Sequence, residues 1–275
     1  MPRLRYAFNR NMKEHKRVLV TVKTYPNPSK KYQELVCVAG VQEDGSFIRL
    51  YPVQFRHLDP AEQFVKYQWI ELQVEKNRKD HRPESFRPTP DTIHLKEKIS
   101  TENNWAERKR LILPKSLVSM CDLQQRPQTE VSLGIIKPSE VLGFTAEQVE
   151  PDWDDAYKAS LQQQNFFTDR EAVKILEKIP YRFSFQYKCM NDGCKGHNMT
   201  ITDWEIGMLY LRQFKKHNDA QKAIEDVKKK FLNDLCGADK DTYFFVGTVH
   251  LYASWIILGV FYPKKELQQR FGFEG

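Results

Sequence analysis

The chain has 275 residues, 40% of them hydrophobic, with only 12 Gly and 14 Pro, which is enough apolar material for one large domain or two small ones and excludes a low-complexity chain. Five cysteines, Cys37, Cys121, Cys189, Cys194 and Cys236, are an odd and scattered set, poor for a disulfide framework and better suited to free thiols with one metal site. The formal net charge is +7, and residues 1–31 carry the surplus: Arg3, Arg5, Arg10, Lys13, Lys16, Arg17, Lys23, Lys30 and Lys31 stand against Glu14 alone, a local +8.

A basic segment of this kind suits polyphosphate binding through counterion release, and it is equally the composition of a solvated terminus. The polar start Met-Pro-Arg-Leu-Arg has no apolar run of signal-peptide length, so an intracellular, cytoplasmic setting is expected.

Residues 18–23 read as a β-strand, and Thr24-Tyr-Pro-Asn-Pro-Ser-Lys-Lys31 reads as a loop stiffened by two prolines. A hairpin follows, with strands at 35–41 and 47–53 reversed by Glu43-Asp-Gly45. Over residues 67–75, Ile70, Leu72 and Val74 alternate with Glu71, Gln73 and Glu75, the period of a half-buried strand. Residues 77–90 are a polar, proline-punctuated loop ahead of a short strand near 92–95. The first half is therefore expected to be antiparallel and β-rich, with a small barrel as one way to close it.

The stretch 122–129 is the best linker candidate. A soft boundary near residue 140 divides the chain into a basic, β-rich domain (1–140) and an α+β domain (141–275). In the second, Thr168-Asp-Arg-Glu171 is a capping box for a helix ending before Pro180, and Phe183, Phe185 and Tyr187 mark a half-buried strand running into Cys189. Thr202-Asp-Trp-Glu205 is a second capping box, opening a helix to about Lys216, and an apolar stripe over 220–235 forms another that ends at Gly237. Residues 243–263 lack Asp, Glu, Lys and Arg and approach the length of a membrane span, but Gly247, His250, Ser254 and Gly259 interrupt them. Two strands, 243–249 and 254–262, fit better, giving an α+β fold that ends in a β-hairpin.

Two groups of residues carry chemistry. Cys189-x4-Cys194-x2-His197 offers three soft or borderline ligands with turn-permitting glycines at 193 and 196, a pattern for zinc. The fourth ligand is open among Cys37, Cys121, Cys236, another histidine, Asp203 and water. Small buried thiols with a packed histidine are the competing interpretation. With water in the fourth position, Glu205 or Asp203 would act as general base in a metal-dependent hydrolase or nuclease; ordinary helix capping accounts for the same two carboxylates.

The other group is Lys23, Tyr25, Lys30, Lys31, Tyr32, Arg49 and Arg56, which interleave cations with aromatic rings as binding to DNA or RNA requires. The expectation is a nucleic-acid-binding protein whose second half is stabilised by zinc. The alternatives are the hydrolase and a scaffold subunit that docks a protein partner through the terminal hairpin and Trp255. No phosphate-binding loop, nucleophile elbow, His-Glu-x2-His or dinucleotide fingerprint occurs, and Glu107-Arg-Lys109 lies in a helix-like charged stretch as a chance match to half a nuclease core.

Overall fold

The run Val18-Leu-Val-Thr-Val22 is apolar on both faces of a strand, and the fold buries both. A computed structural model of the chain describes residues 13–29, 33–114, 117–159, 176–249 and 252–266. In β1 (Glu14–Lys23), Val18 and Val20 point into the core of the N-terminal half, while Leu19 and Val22 join a second apolar cluster on the other face. A bulge between Val20 and Val22 reverses the inside–outside parity, which is why the side chains do not simply alternate.

β1 pairs antiparallel with β3 (Gln33–Gln42) and also with β5 (Gln68–Lys76). Continuing from β3 through β4 (Phe47–Val53) and β6 (Ser85–Pro88) to β5, the pairings close a five-stranded barrel. Closure leaves no free edge in the ring. β2 (Asn27–Ser29) extends β3, and β7 (His94–Lys98) adds to β5. β6 was not apparent in the polar 77–90 stretch because only four residues pair, and two of the barrel's pairings hold them. Ile48, Leu50, Ile70, Leu72 and Val74 fill the barrel at 1% exposure or less.

α1 (Glu102–Ile112) begins with a left-handed turn at Asn103, Asn104 and Trp105, and packs Trp105 against Tyr67, Phe261 and Tyr262. The expected linker 122–129 instead begins with helix: α2 (Met120–Gln125) is capped by Ser119 and buries Met120 and Leu123. These residues and Ile136 belong to the C-terminal core, so that core starts ahead of residue 140.

Two three-stranded sheets build the rest. One orders β11 (His197–Thr200), β10 (Tyr181–Cys189) and β9 (Pro138–Gln148); the other orders β13 (Tyr252–Phe261), β12 (Tyr243–Val249) and β8 (Leu133–Ile136). α3 (Trp204–His217) and α4 (Ala220–Lys228) cover them, and α4 runs into a π turn (Lys229–Asp234). The helix expected after Thr168 falls largely outside the described residues, and 176–180 form neither helix nor strand. Among the described residues, no helix is long and apolar enough to cross a membrane, and 243–261 form the expected hairpin. Trp255 packs partly buried against the C-terminal core.

The outer face of the barrel packs on the hairpin sheet. Leu19, Ala39, Val41, Tyr67 and Trp69 meet Leu133, Ile135, Phe245, Leu258 and Phe261 in one cluster. Gly247 permits the closest part of this approach, because a Cβ there would sit 2.7 Å from Leu258 Cδ1 and 3.2 Å from an Arg49 guanidinium nitrogen.

A buried ion pair crosses the same seam. Lys66 Nζ donates to both Asp203 carboxylate oxygens at 2.9 and 2.7 Å, with the two side chains 8% and 2% exposed, and reaches Glu205 at 3.2 Å. Asp203, rather than Thr202, is the N-cap of α3, accepting from Glu205 N at 2.8 Å. The carboxylate wins because it satisfies the helix donor and the lysine at once. Asp203→Asn keeps a good capping side chain but strands the Lys66 charge, so chemical denaturation is expected to show a loss of about 3–5 kcal/mol. Glu205→Gln, at a side chain 61% exposed, is expected to cost less than ~1 kcal/mol.

Candidate metal centre and basic faces

β10 alternates Phe183, Phe185 and Tyr187 into the core and so delivers Cys189 on the buried face. The chain then reverses. Asn191 holds the turn, its side chain accepting from Gly193 N and its carbonyl from Cys194 N, each at 2.9 Å. Gly196, at φ +103°, takes a conformation that side-chain-bearing residues rarely adopt, and it returns the chain into β11 at His197. Tyr187 pairs with His197 across the strands, its ring centroid 5.1 Å from the imidazole.

The fourth member is Cys121, carried on the short helix that replaces the expected linker. Its sulfur lies 3.6 Å from Cys189 Sγ and 3.6 Å from His197 Nε2, while His197 Nε2 lies 3.4 Å from Cys189 Sγ and 3.2 Å from Cys194 Sγ. All four ligand atoms fall within 4.8 Å of one another, a Cys3His group that could hold a metal ion. Burial opposes ionisation of Cys189, yet hydrogen bonds from the Asn191 and Cys121 backbone, from His197 and from Cys194 bring its thiol down to about 6. Burial and the neighbouring sulfurs push Cys121 up to about 12. Thiols this close share their protons, and a cation would replace those protons.

Neither Asp203 nor Glu205 belongs to this group. Both are engaged by Lys66, and with Cys121 as a fourth ligand a metal would have no position left for a hydrolytic water. Sequence order concealed Cys121, since it precedes Cys189 by 68 residues. Cys37 and Cys236 are free thiols elsewhere.

The described cations expected to contact nucleic acid are engaged within the fold. Arg49 is 2% exposed and donates to Ser132 Oγ and O at 2.7 and 2.9 Å; burial lowers its pKa, and the side chain is unavailable to a surface ligand. Arg56 bonds Glu34 at 2.6 Å, and Tyr25 donates to Glu177 O at 2.6 Å. Lys23 lies 4.0 Å from the Phe55 ring centroid and 5.4 Å from that of Trp204, donating to Phe64 O at 3.1 Å. Lys30, Lys31 and Tyr32 lie outside the described residues.

A different basic face occupies the barrel end where β1 begins. Glu14 pairs with Val74, and Lys76 with Phe86, so the start of β1 lies near the start of the 77–84 loop. That loop is pinned from within. Arg82 grips Asp80 through two nitrogens at 2.8 and 2.6 Å and donates to Thr248 O at 2.6 Å. Although burial works the other way, Arg82 and Ser85 hold the Asp80 carboxyl well below its usual range. With Asn77, Asp80 and Arg82 buried, Arg78, Lys79 and His81 are left exposed. Lys16 and Lys76 flank Phe86 at 5.6 and 4.4 Å from its ring centroid.

Elemental analysis of untagged protein is expected to find one metal ion per chain, lost in Cys121→Ser as well as in Cys194→Ser and His197→Ala, and retained in Glu205→Gln. Retention in Cys121→Ser would remove it from the ligand set. At Lys23, burial and the nearby Lys66 charge lower the pKa from 10.5 to about 8. The folded state therefore binds the proton less tightly than the unfolded chain, and the resulting penalty is fully present below pH ~8 and fades towards ~10.5. Thermal melts of Lys23→Met should show its largest advantage over wild type below pH ~8, shrinking as pH rises through that window.

Residues 14–114 match the model of a domain of unknown function (DUF8758), and residues 115–274 match that of a second domain of unknown function (DUF8757). No curated protein matches the chain. A solved structure of a murine DNA binding protein bound with ds DNA is similar over 92% of this chain and 97% of that one, at 10% identity and a TM-score of 0.30, a likeness too low to carry an argument.

Proposed function

The chain belongs to the family of that second domain, DUF8757, and we propose that it is a nucleic-acid-binding protein whose C-terminal half is organised by a structural zinc ion. The observation that carries the binding half of this reading is the pinned 77–84 loop. The Asp80–Arg82 pair is buried, so its charges are spent on holding the loop, while Arg78 and Lys79, on the loop that follows Lys76, face solvent. The Arg3, Arg5 and Arg10 segment continues from the same end. A cationic face on a rigid loop joined to a basic segment is suited to tracking a phosphate backbone, in DNA or RNA.

Zinc is supported by the ligand chemistry. A tetrahedral zinc with sulfur at about 2.3 Å and nitrogen at about 2.0–2.1 Å places its ligands roughly 3.6–3.8 Å apart. The Cys121–Cys189 sulfur separation of 3.6 Å and the three sulfur–nitrogen separations of 3.2–3.6 Å approach that spacing. Three thiolates and an imidazole leave no open coordination position, which favours a structural role over hydrolysis. A cytoplasmic setting would keep the thiols reduced.

The test is fluorescence anisotropy with labelled single- and double-stranded DNA and RNA across a salt series. Arg78→Ala with Lys79→Ala should weaken binding and reduce the slope of log affinity against log salt by about 1.4–1.8, as expected for two lost phosphate contacts. Unchanged affinity and slope would reject this face.

A further inference from the structure

We infer that the groove between α3 and the π turn is a second site, built for a nucleoside 5′-phosphate. The groove encloses about 480 Å³, within the ~300–1,000 Å³ typical of small-molecule sites. It lies on different residues from the barrel-end face, so either assignment can fail without the other.

Its charge is decided by pairing. The lining holds three carboxylates, and each has a partner: Glu205 meets Lys66 at 3.2 Å, Asp226 is bonded to His217 at 2.8 Å, and Asp234 meets Lys230 at 3.4 Å. Arg212, Lys216 and Lys229 also line the groove, all exposed, and among the described residues none has an ion-pair partner. The lining thus holds four cations against three carboxylates, a formal surplus of one, and Arg212, Lys216 and Lys229 are left to meet an ester phosphate.

Two further features ask for more than an anion. Gln213 lines the groove, and its Oε1, shielded from solvent, accepts no hydrogen bond, so turning the side chain towards an N–H or O–H donor of a ligand would satisfy it. Leu209, Phe231 and Tyr262 supply an apolar, partly aromatic wall. Phosphate, a flat ring and a donor are together the chemistry of a nucleoside phosphate. The backbone is specialised at the same place: Lys229 and Lys230 open the π turn, whose extra residue widens the helix where regular α geometry would continue the ladder.

That chemistry has two sources, the free mononucleotide and the 5′-phosphorylated end of a strand. Calorimetry with the full chain would use the four ribonucleoside 5′-monophosphates, adenosine, inorganic phosphate, and a trinucleotide with and without its 5′-phosphate. Binding is expected for at least one monophosphate or for the phosphorylated trinucleotide, with adenosine, inorganic phosphate and the 5′-hydroxyl trinucleotide at least tenfold weaker. Tighter binding of the phosphorylated trinucleotide than of any monophosphate identifies the strand end as the source; the reverse identifies the free nucleotide. Arg212→Ala with Lys229→Ala should weaken binding at least tenfold while leaving the melting temperature unchanged, since both side chains are exposed. Gln213→Met should weaken the nucleotide without strengthening inorganic phosphate. No binding by any phosphate ester, equal affinity for inorganic phosphate, or an unaltered double variant would overturn the site.

Discussion

The Lys66–Asp203 ion pair is the constraint around which the two halves are arranged. Asp203 has to cap α3 and neutralise a buried lysine, and both tasks fix it at the point where the barrel meets the C-terminal half. Burial works to lower the Lys66 pKa, and Asp203 and Glu205 overcome that effect and hold the ammonium charged. An isolated charge there would be costly, so neither half can shift without stranding one member of the pair. Neighbouring groups follow: Thr24 bridges to Asp203, Tyr25 N donates to Thr202 O at 2.8 Å, and Trp204 meets Phe55 edge-on at 5.5 Å.

A second polar seam lies on another side of the barrel, where Arg49 and Glu84 both bind Ser132 and Arg82 reaches Thr248 O. It explains why cations with the composition of a nucleic-acid surface are absent from that surface. Buried guanidinium groups satisfy several acceptors at once in a fixed planar geometry, which makes them effective at joining backbone and side-chain oxygens across an interface. The loop they immobilise carries the exposed cations. Buried and exposed charges thus share one short segment, Asp80 and Arg82 inward, Arg78 and Lys79 outward.

The Cys3His group plays the corresponding part inside the C-terminal half. It joins α2 to the β10–β11 reversal, elements distant in sequence, and it does so beside the aromatic core of Tyr187, Phe185 and Phe244. A metal there would fasten the start of the C-terminal core to its central sheet.

Local pattern was sufficient for much of this protein. β-rich runs identified β1, β3, β4 and the terminal hairpin, alternation identified β5 and β10, and the Cys189, Cys194 and His197 spacing identified three members of the cluster, because residue type, strand period and tight-turn geometry are properties of neighbouring residues. The chain also fixed the α+β class and the basic character of its first 31 residues. Tertiary structure alone decided barrel closure, the inclusion of Cys121, and the burial of Arg49, since each depends on residues brought together from distant segments. It likewise decided that Asp203 serves a lysine 137 residues away as well as its own helix. Sequence records which side chains can ionise or ligate; only the folded contacts determine which of those capacities are consumed within the protein and which are left facing a partner.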